Sequence, residues 1–307
     1  MRGSRVDDGL AELLASGERA AFHGAPMTAV ASLERAFERS AAEGRPDVAT
    51  AAAWLLGVSL GAAGRFGSAL EVLEPLTAQD GTDGPERRLF AAFACSTAAA
   101  VRRQLGQHFV ARGLDERGLT LAEGAAEAVF DAELGLAADA VGLGDAAVAA
   151  EQLRRAQERA EARPDWWRQR VRLAWVQAEV ALLVGDAEAA VEAVAPAVQR
   201  AEVAGAPRHV AKSLLFLGVA QIQAGRVDEA AATLRRSATL AESLGALPLL
   251  WPSRAVLGAL LEESAPAESA RCLAAARSAV IAIADDLPED LRTVWLDRED
   301  VSALLGG

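Results

Sequence analysis

The sequence contains no tyrosine and no asparagine, one lysine (Lys212), two cysteines and three histidines. Aromatic residues make up 5% of it, although hydrophobic residues reach 52%. These shortages exclude several kinds of chemistry. Cys95 and Cys272 lie far apart and no His-x-x-x-His or Glu-x-x-His pair occurs, so no zinc spacing is present. Both cysteines sit in apolar helical text and read as buried free thiols. His23, His108 and His209 stand alone beside turns or a helix start and read as exposed polar residues. No Gly-x-Gly-x-x-Gly or Gly-Lys-Ser/Thr run exists to cradle a phosphate. Carboxylates are plentiful, but between Glu151 and Glu161 they alternate with arginine, the pattern of a solvated helix face with i,i+4 pairs rather than of an acid–base dyad. The chain therefore reads as no enzyme, with no catalytic residue, no metal and no cofactor.

Positive charge is scarce overall, and the formal net charge is −12. A nucleic-acid partner needs a basic footprint, and an anionic membrane surface attracts the same cations, so neither is expected. No uncharged apolar run reaches the ~18 residues of a membrane helix. The polar, acidic start does not read as a signal peptide. The expected address is the cytoplasm.

Alanine supplies most of the apolar content and is the best helix former. Turn signals recur at Gly24, Gly64, Gly106, Gly144, Gly185 and Gly225, spaced 40, 42, 38, 41 and 40 residues apart, with a seventh turn at Ser264-Ala265-Pro266. Five residues after each turn position stands an alanine: Ala29, Ala69, Ala111, Ala149, Ala190, Ala230 and Ala270. Seven residues before it stand Gly17, Gly57, Ala99, Ala137, Ala178, Gly218 and Gly258. Small residues in both rows let the two helices of a hairpin touch, while Leu33, Leu73, Leu153, Val194 and Leu234 fill the next row. Prolines fall between repeats, near helix starts, where the missing N–H costs nothing. Pro75 and Pro196 fall inside second helices and should kink or shorten them.

These periods predict an all-α solenoid of about seven helix–turn–helix repeats and about fourteen helices over residues 8–287. A single capping helix over 288–307 should turn Trp295 and Leu296 inward and its charges outward. Residues 1–7 read as a leader or tag remnant.

Leu214-x-x-Leu217-Gly218, then Gly225, Ala230 and Leu234, resembles the tetratricopeptide pattern, as does Ala53-x-x-Leu56-Gly57 through Gly64, Phe66, Ala69 and Leu73. The repeat is near 40 residues rather than about 34, and alanine or leucine replaces the family's aromatic knob. In this it resembles the long-repeat arrays at the C-terminal end of bacterial signalling ATPases and large transcriptional activators; the arginine-over-lysine bias suits an actinobacterial genome. The ending from Ile283 to Leu296 is similar to the closing segment of those arrays.

The resemblance implies a right-handed superhelix whose first helices line a concave groove that binds another protein or a peptide. Its inward-facing rows fall on Arg19, Trp54, Arg103, Trp175, Glu179, Lys212, Phe216 and Gln223. Trp and Arg are common interface anchors; the plainer alternative is that Trp175 and Phe216 fill the space between repeats. Arg19 and Arg103 suggest a partner with an acidic portion. A clamp of paired lysines and asparagines cannot be built here, and the asparagine contacts of peptide-pheromone receptors are also missing. A sensor of a small ligand or peptide is the alternative to a scaffold, with an unrecognised enzyme third.

Overall fold

The computed structural model describes residues 3–79 and 84–306. Fourteen helices pair in seven hairpins: α1 (Gly3–His23) with α2 (Pro26–Ala42), α3 (Pro46–Ala63) with α4 (Phe66–Thr77), α5 (Pro85–Gln104) with α6 (His108–Leu121), and α7 (Ala126–Gly142) with α8 (Ala146–Glu161). Then come α9 (Trp167–Leu183) with α10 (Ala187–Val203), α11 (Pro207–Gln223) with α12 (Val227–Ser243), and α13 (Leu247–Leu260) with α14 (Pro266–Asp286). No strand occurs among the described residues. Successive odd-numbered helices pack on one another down the array and form its inner layer; the even-numbered partners lie outside.

The expected small rows do hold the hairpins. Ala29, Ala69, Ala111, Ala149, Ala190 and Ala230 are fully buried. Opposite them, a Cβ added to Gly17, Gly57 or Gly218 would strike Leu33, Leu73 or Leu234, respectively. The seventh hairpin departs from the register: Ala270 is exposed and Ser269 takes its buried place, its hydroxyl donating to the Gly258 carbonyl at 2.7 Å. Gly258 accordingly faces Leu273, fifteen residues on, where the other glycines face a leucine sixteen on. The turn without glycine is one residue shorter. The first turn also differs, since Gly24 does not take a positive φ and the chain passes through extended Ala25 into Pro26.

α4, 12 residues long, ends two residues after Pro75, whereas α10 runs 17 residues through Pro196. Turn glycines also separate the hairpins, at Gly44, Gly84, Gly124, Gly205 and Gly245, all left-handed. The segment read as a leader is already helical from Gly3, while Met1 and Arg2 lie outside the described residues. Apolar α3 has the length and composition to cross a membrane, yet 61% of it is buried between its neighbours, as in a core helix.

The ending differs most from expectation. Residues 288–305 form two short helices, α15 (Glu289–Leu296) and α16 (Glu299–Leu305), broken at Asp297–Arg298. They do not simply cover the last hairpin. The Arg298 guanidinium reaches the Gln104 carbonyl, Arg65 pairs with Asp286, and Ser68 N donates to Asp286 Oδ2 at 3.0 Å. Gly64, at φ +89°, sits against Leu247, Pro248 and Ile283, so a side chain there would meet both strain and a wall. One core cluster accordingly joins α1–α5 to α13–α16. The array comes round far enough for its last repeat to dock on its second and third.

Candidate functional site

Residues four or three apart share a helix face. On α9 that rule aligns Arg168, Arg172, Trp175 and Glu179; on α11 it aligns Arg208, Lys212 and Phe216. Both stripes belong to inner-layer helices, and α9 packs on α11. The end of α1 packs against their N-terminal ends, with His23 5.7 Å from Trp167 and the Arg168 guanidinium 4.6 Å over the Phe22 ring.

Aromatic contacts knit the stripes together. Trp175 stacks on His209 at 5.6 Å and on Phe216 at 6.4 Å, and its indole N–H donates to Ser213 Oγ at 2.8 Å. Lys212 Nζ lies 4.5 Å from the Trp175 ring and 5.7 Å from Phe216, a cation held against two π-faces. Trp167 meets His209 edge-on at 5.4 Å. Trp166, its neighbour, is turned into the core against Phe130, so the adjacent tryptophans divide between core and channel.

The charges are unevenly matched. Arg172 pairs with Asp131 on α7. No carboxylate lies within ion-pair distance of Arg168, Arg208 or Lys212 among the described residues, and Arg208 Nε is buried without an acceptor. Burial and then the neighbouring Arg168 and Arg172 push Arg208 down to about 10. Burial pushes the Lys212 ammonium down to about 8; Glu179 pulls the other way, while Arg172, Arg208 and Arg103 add to the fall. Burial likewise raises Glu179, against the pull of Lys212 and Arg103. Arg168, Arg208, Lys212, Phe216 and Glu179 nevertheless retain partial solvent exposure.

Of the eight residues expected in the groove, the structure brings together Trp175, Glu179, Lys212 and Phe216, with Trp175 itself 6% exposed and filling the space between α9 and α11. Gln223 is exposed two turns beyond Phe216, and Arg19 is exposed on α1 outside these contacts. Trp54 is 8% exposed and fills the seam between repeats, stacked on Phe93 at 4.9 Å and donating to Thr97 Oγ1 at 3.1 Å.

Arg103 is committed within the chain. It bonds Asp115 at 2.6 Å, Asp139 at 3.0 Å and the Gly135 carbonyl at 3.3 Å. Asp115 stands nine residues after its turn glycine, where Leu33, Leu73, Leu153, Val194 and Leu234 stand after theirs. An aspartate in a leucine row is buried at 0% exposure, and Arg103 is its counter-charge. Burial opposes the charge on Arg103, but Asp115 and Asp139 together hold its pKa well above the usual value. The arginine expected in the groove is thus an internal clasp between the third and fourth hairpins.

The histidines also divide. His23 is exposed and His108 half-buried, but His209 is 3% exposed among Trp167, Trp175 and its basic neighbours. Burial, followed by Arg208, Arg168, Arg172 and Lys212, keeps it neutral. Arg168 and Arg208 were absent from the expected set, although extending the Trp175 and Lys212 rows by one or two helical turns reaches both. Cys95 and Cys272 are buried free thiols.

On the outer side, a hollow of about 280 Å³ lies under Phe109 between α6, α7 and α8. Of its charged residues, Arg112 and Glu116 satisfy each other at 3.0 Å and Asp145 accepts from Val148 N at 3.1 Å, so it lacks the unmatched charge found on α9 and α11.

No protein-family model and no curated protein matches the sequence. Solved structures do match in fold. A Rap protein complexed with Competence and Sporulation Factor is 12% identical with a TM-score of 0.67, covering 98% of this chain and 88% of its own. NprR in complex with its cognate peptide NprX is 15% identical with a TM-score of 0.57, covering 98% and 82%. Aspartyl phosphate phosphatase F from Bacillus subtilis is 15% identical with a TM-score of 0.51, covering 100% and 83%. The chain shares the helical-repeat fold of these proteins, an all-α solenoid of tetratricopeptide-like hairpins.

Proposed function

We propose that this chain is a peptide-binding module, taking a peptide or an extended segment of another protein along the inner face of α9 and α11. The observation that carries this reading is the stripe of partly exposed Trp167, Lys212 and Phe216 on two adjacent inner helices, backed by the buried Trp175 ring. Two of the fold neighbours are described as complexes, one with Competence and Sporulation Factor and one with the peptide NprX, which supports a peptide as the ligand class. With no asparagine in the chain, the polar grip falls to arginine, lysine, glutamine and serine. A regulatory role, like that of sensor arrays attached to signalling proteins, fits a channel of this kind in the cytoplasm.

The test is selection from a fluorescein-labelled random heptapeptide pool, followed by titration of retained peptides against the parent and Phe216→Ala. Phe216 is half-buried and its loss spares the Trp175–Ser213 bond. Binding weakened about tenfold, with the helical spectrum intact, is expected. Peptides that bind both proteins equally would move the site off this face.

A further inference from the structure

We propose that Arg168, Arg208 and Lys212, converging on the inner face of α9 and α11, hold a carboxylate group of the bound peptide. This rests on the peptide-channel reading and names what the charged part of that channel recognises.

The first ground is unmatched charge. Two other arginines of the inner helices have carboxylates: Arg103 has Asp115 and Asp139, and Arg172 has Asp131. Arg168 and Arg208 make no ion pair among the described residues; Asp131, Glu127 and Glu18 act on Arg168 only from beyond ion-pair distance, and Lys212 has only the unbonded Glu179 nearby. Interiors pair their charges because an unpaired one is costly to desolvate. Three unpaired cations on one inner surface, in a chain of net charge −12, mark a place where an anion from outside completes the pairing.

The second ground is donors without acceptors. Arg208 Nε is buried and makes no hydrogen bond. The same holds for Arg170 Nε and Arg254 Nε, but of the three only Arg208 has no other side-chain bond among the described residues to hold its guanidinium. A guanidinium offers five N–H donors in a planar fork, a shape that matches a carboxylate through two parallel bonds. The surroundings strengthen such a bond. Phe22 covers the Arg168 guanidinium, and Trp175 and Phe216 cover the Lys212 ammonium, so these apolar faces lower the local dielectric around the cations.

The third ground is the chemistry of the ligand. A peptide brings negative charge as its C-terminal carboxylate or as an aspartate or glutamate side chain. Both present the same two-oxygen group, and the stripe of aromatic faces beginning at Trp175 and Phe216 would receive the residues next to it.

The experiment has two arms. In the first, the parent and Arg208→Gln are titrated with succinate, inorganic phosphate and sodium chloride at matched ionic strength, following tryptophan emission, since Trp167 and Trp175 border the site. Arg168→Gln serves as the second variant, and circular dichroism checks folding. Saturable succinate binding that Arg208→Gln or Arg168→Gln weakens about tenfold, with no response to chloride, is expected. A response that chloride reproduces, or that both variants retain in full, overturns the proposal. Phosphate binding about tenfold tighter than succinate would assign the site to phosphate instead.

In the second arm, heptapeptide pools carry either an amidated C-terminus or no aspartate and glutamate. A loss of about tenfold in the first pool assigns the terminal carboxylate, and in the second the side chain. A pool with both modifications that binds undiminished, yet is weakened by Phe216→Ala, overturns the carboxylate and leaves the channel reading standing. Succinate bound through Arg208 with no peptide retained overturns the channel reading and leaves a site for free carboxylates.

Discussion

Trp295, near the C-terminus, packs edge-on against Phe66 of the second hairpin, with ring centroids 6.2 Å apart. Both side chains are buried to within 1% of full burial, Trp295 also meets Trp251, and its indole N–H donates to the Val280 carbonyl at 3.1 Å. Removing a buried tryptophan side chain costs ~3–5 kcal/mol. Trp295→Ala should therefore lower the denaturation midpoint strongly, and it should also reduce hydrogen-exchange protection in α4, far away in sequence. Protection lost only after residue 288 would show that the two ends touch without supporting each other.

Arg103 and Arg208 should respond oppositely to truncation. Arg103→Ala strands Asp115 and Asp139, both 0% exposed, and breaking a buried pair in this way costs ~3–5 kcal/mol. Arg208 has no partner to strand and is repelled by Arg168 and Arg172. The denaturant midpoint of Arg208→Gln should equal or exceed that of the parent. A loss above ~1 kcal/mol would mean that Arg208 holds the fold rather than a ligand.

Overpacking should follow the observed register. Ala230 is fully buried and Ala232 exposed, so Ala230→Leu should cost ~1–3 kcal/mol and Ala232→Leu little. In the seventh hairpin Ala270→Leu should be tolerated, because Ser269 has taken the buried row. Equal midpoints for Ala230→Leu and Ala232→Leu would contradict the packing of α12 on α11.

Carboxylate affinity should fall on the alkaline side. Lys212 titrates at about 8, facing Glu179 and Arg172 on α9, Arg208 and His209 on its own helix, and Arg103 from α5. Below that value it is an ammonium and attracts the ligand. As the pH rises through it the charge is lost and succinate should bind more weakly. His209 has its pKa pushed well below the usual 6.5, so it adds no step as the pH approaches neutrality from below. At pH 9 binding should take up protons, because a bound carboxylate restores the Lys212 charge. Isothermal titration in two buffers of different ionisation enthalpy measures this, and Lys212→Gln should abolish it.

The turns were the legible part of the fold. A glycine every forty residues or so fixed the number of hairpins and the rows around them, because helix ends and close helix contacts are local events. The intervening glycines, Gly44 to Gly245, carried the same signal between hairpins. The slip to Ser269 was hidden because that turn has no glycine to mark it. The break at Asp297–Arg298 was hidden for a different reason: Arg298 leaves helical register to reach Gln104, a demand set by the far end of the chain. In the site, Trp175, Lys212 and Phe216 followed from the inward-facing rows that the tetratricopeptide resemblance implies. Arg208 lay one turn further along the same row. The commitment of Arg103 was readable in principle, since Asp115 interrupts a row of leucines. The burial of His209 was not, as it needs α1, α9 and α11 to converge.

An open solenoid gains or loses a repeat at little cost, since each unit sees only its neighbours. Here the Arg65–Asp286 pair and the Arg298–Gln104 bond bind the count itself. An eighth hairpin inserted anywhere between α5 and α13 would carry Asp286 past Arg65 by a whole step, and a deleted one would stop it short. Seven is therefore a closure condition on this chain, and families of longer or shorter arrays with the same local pattern must end differently.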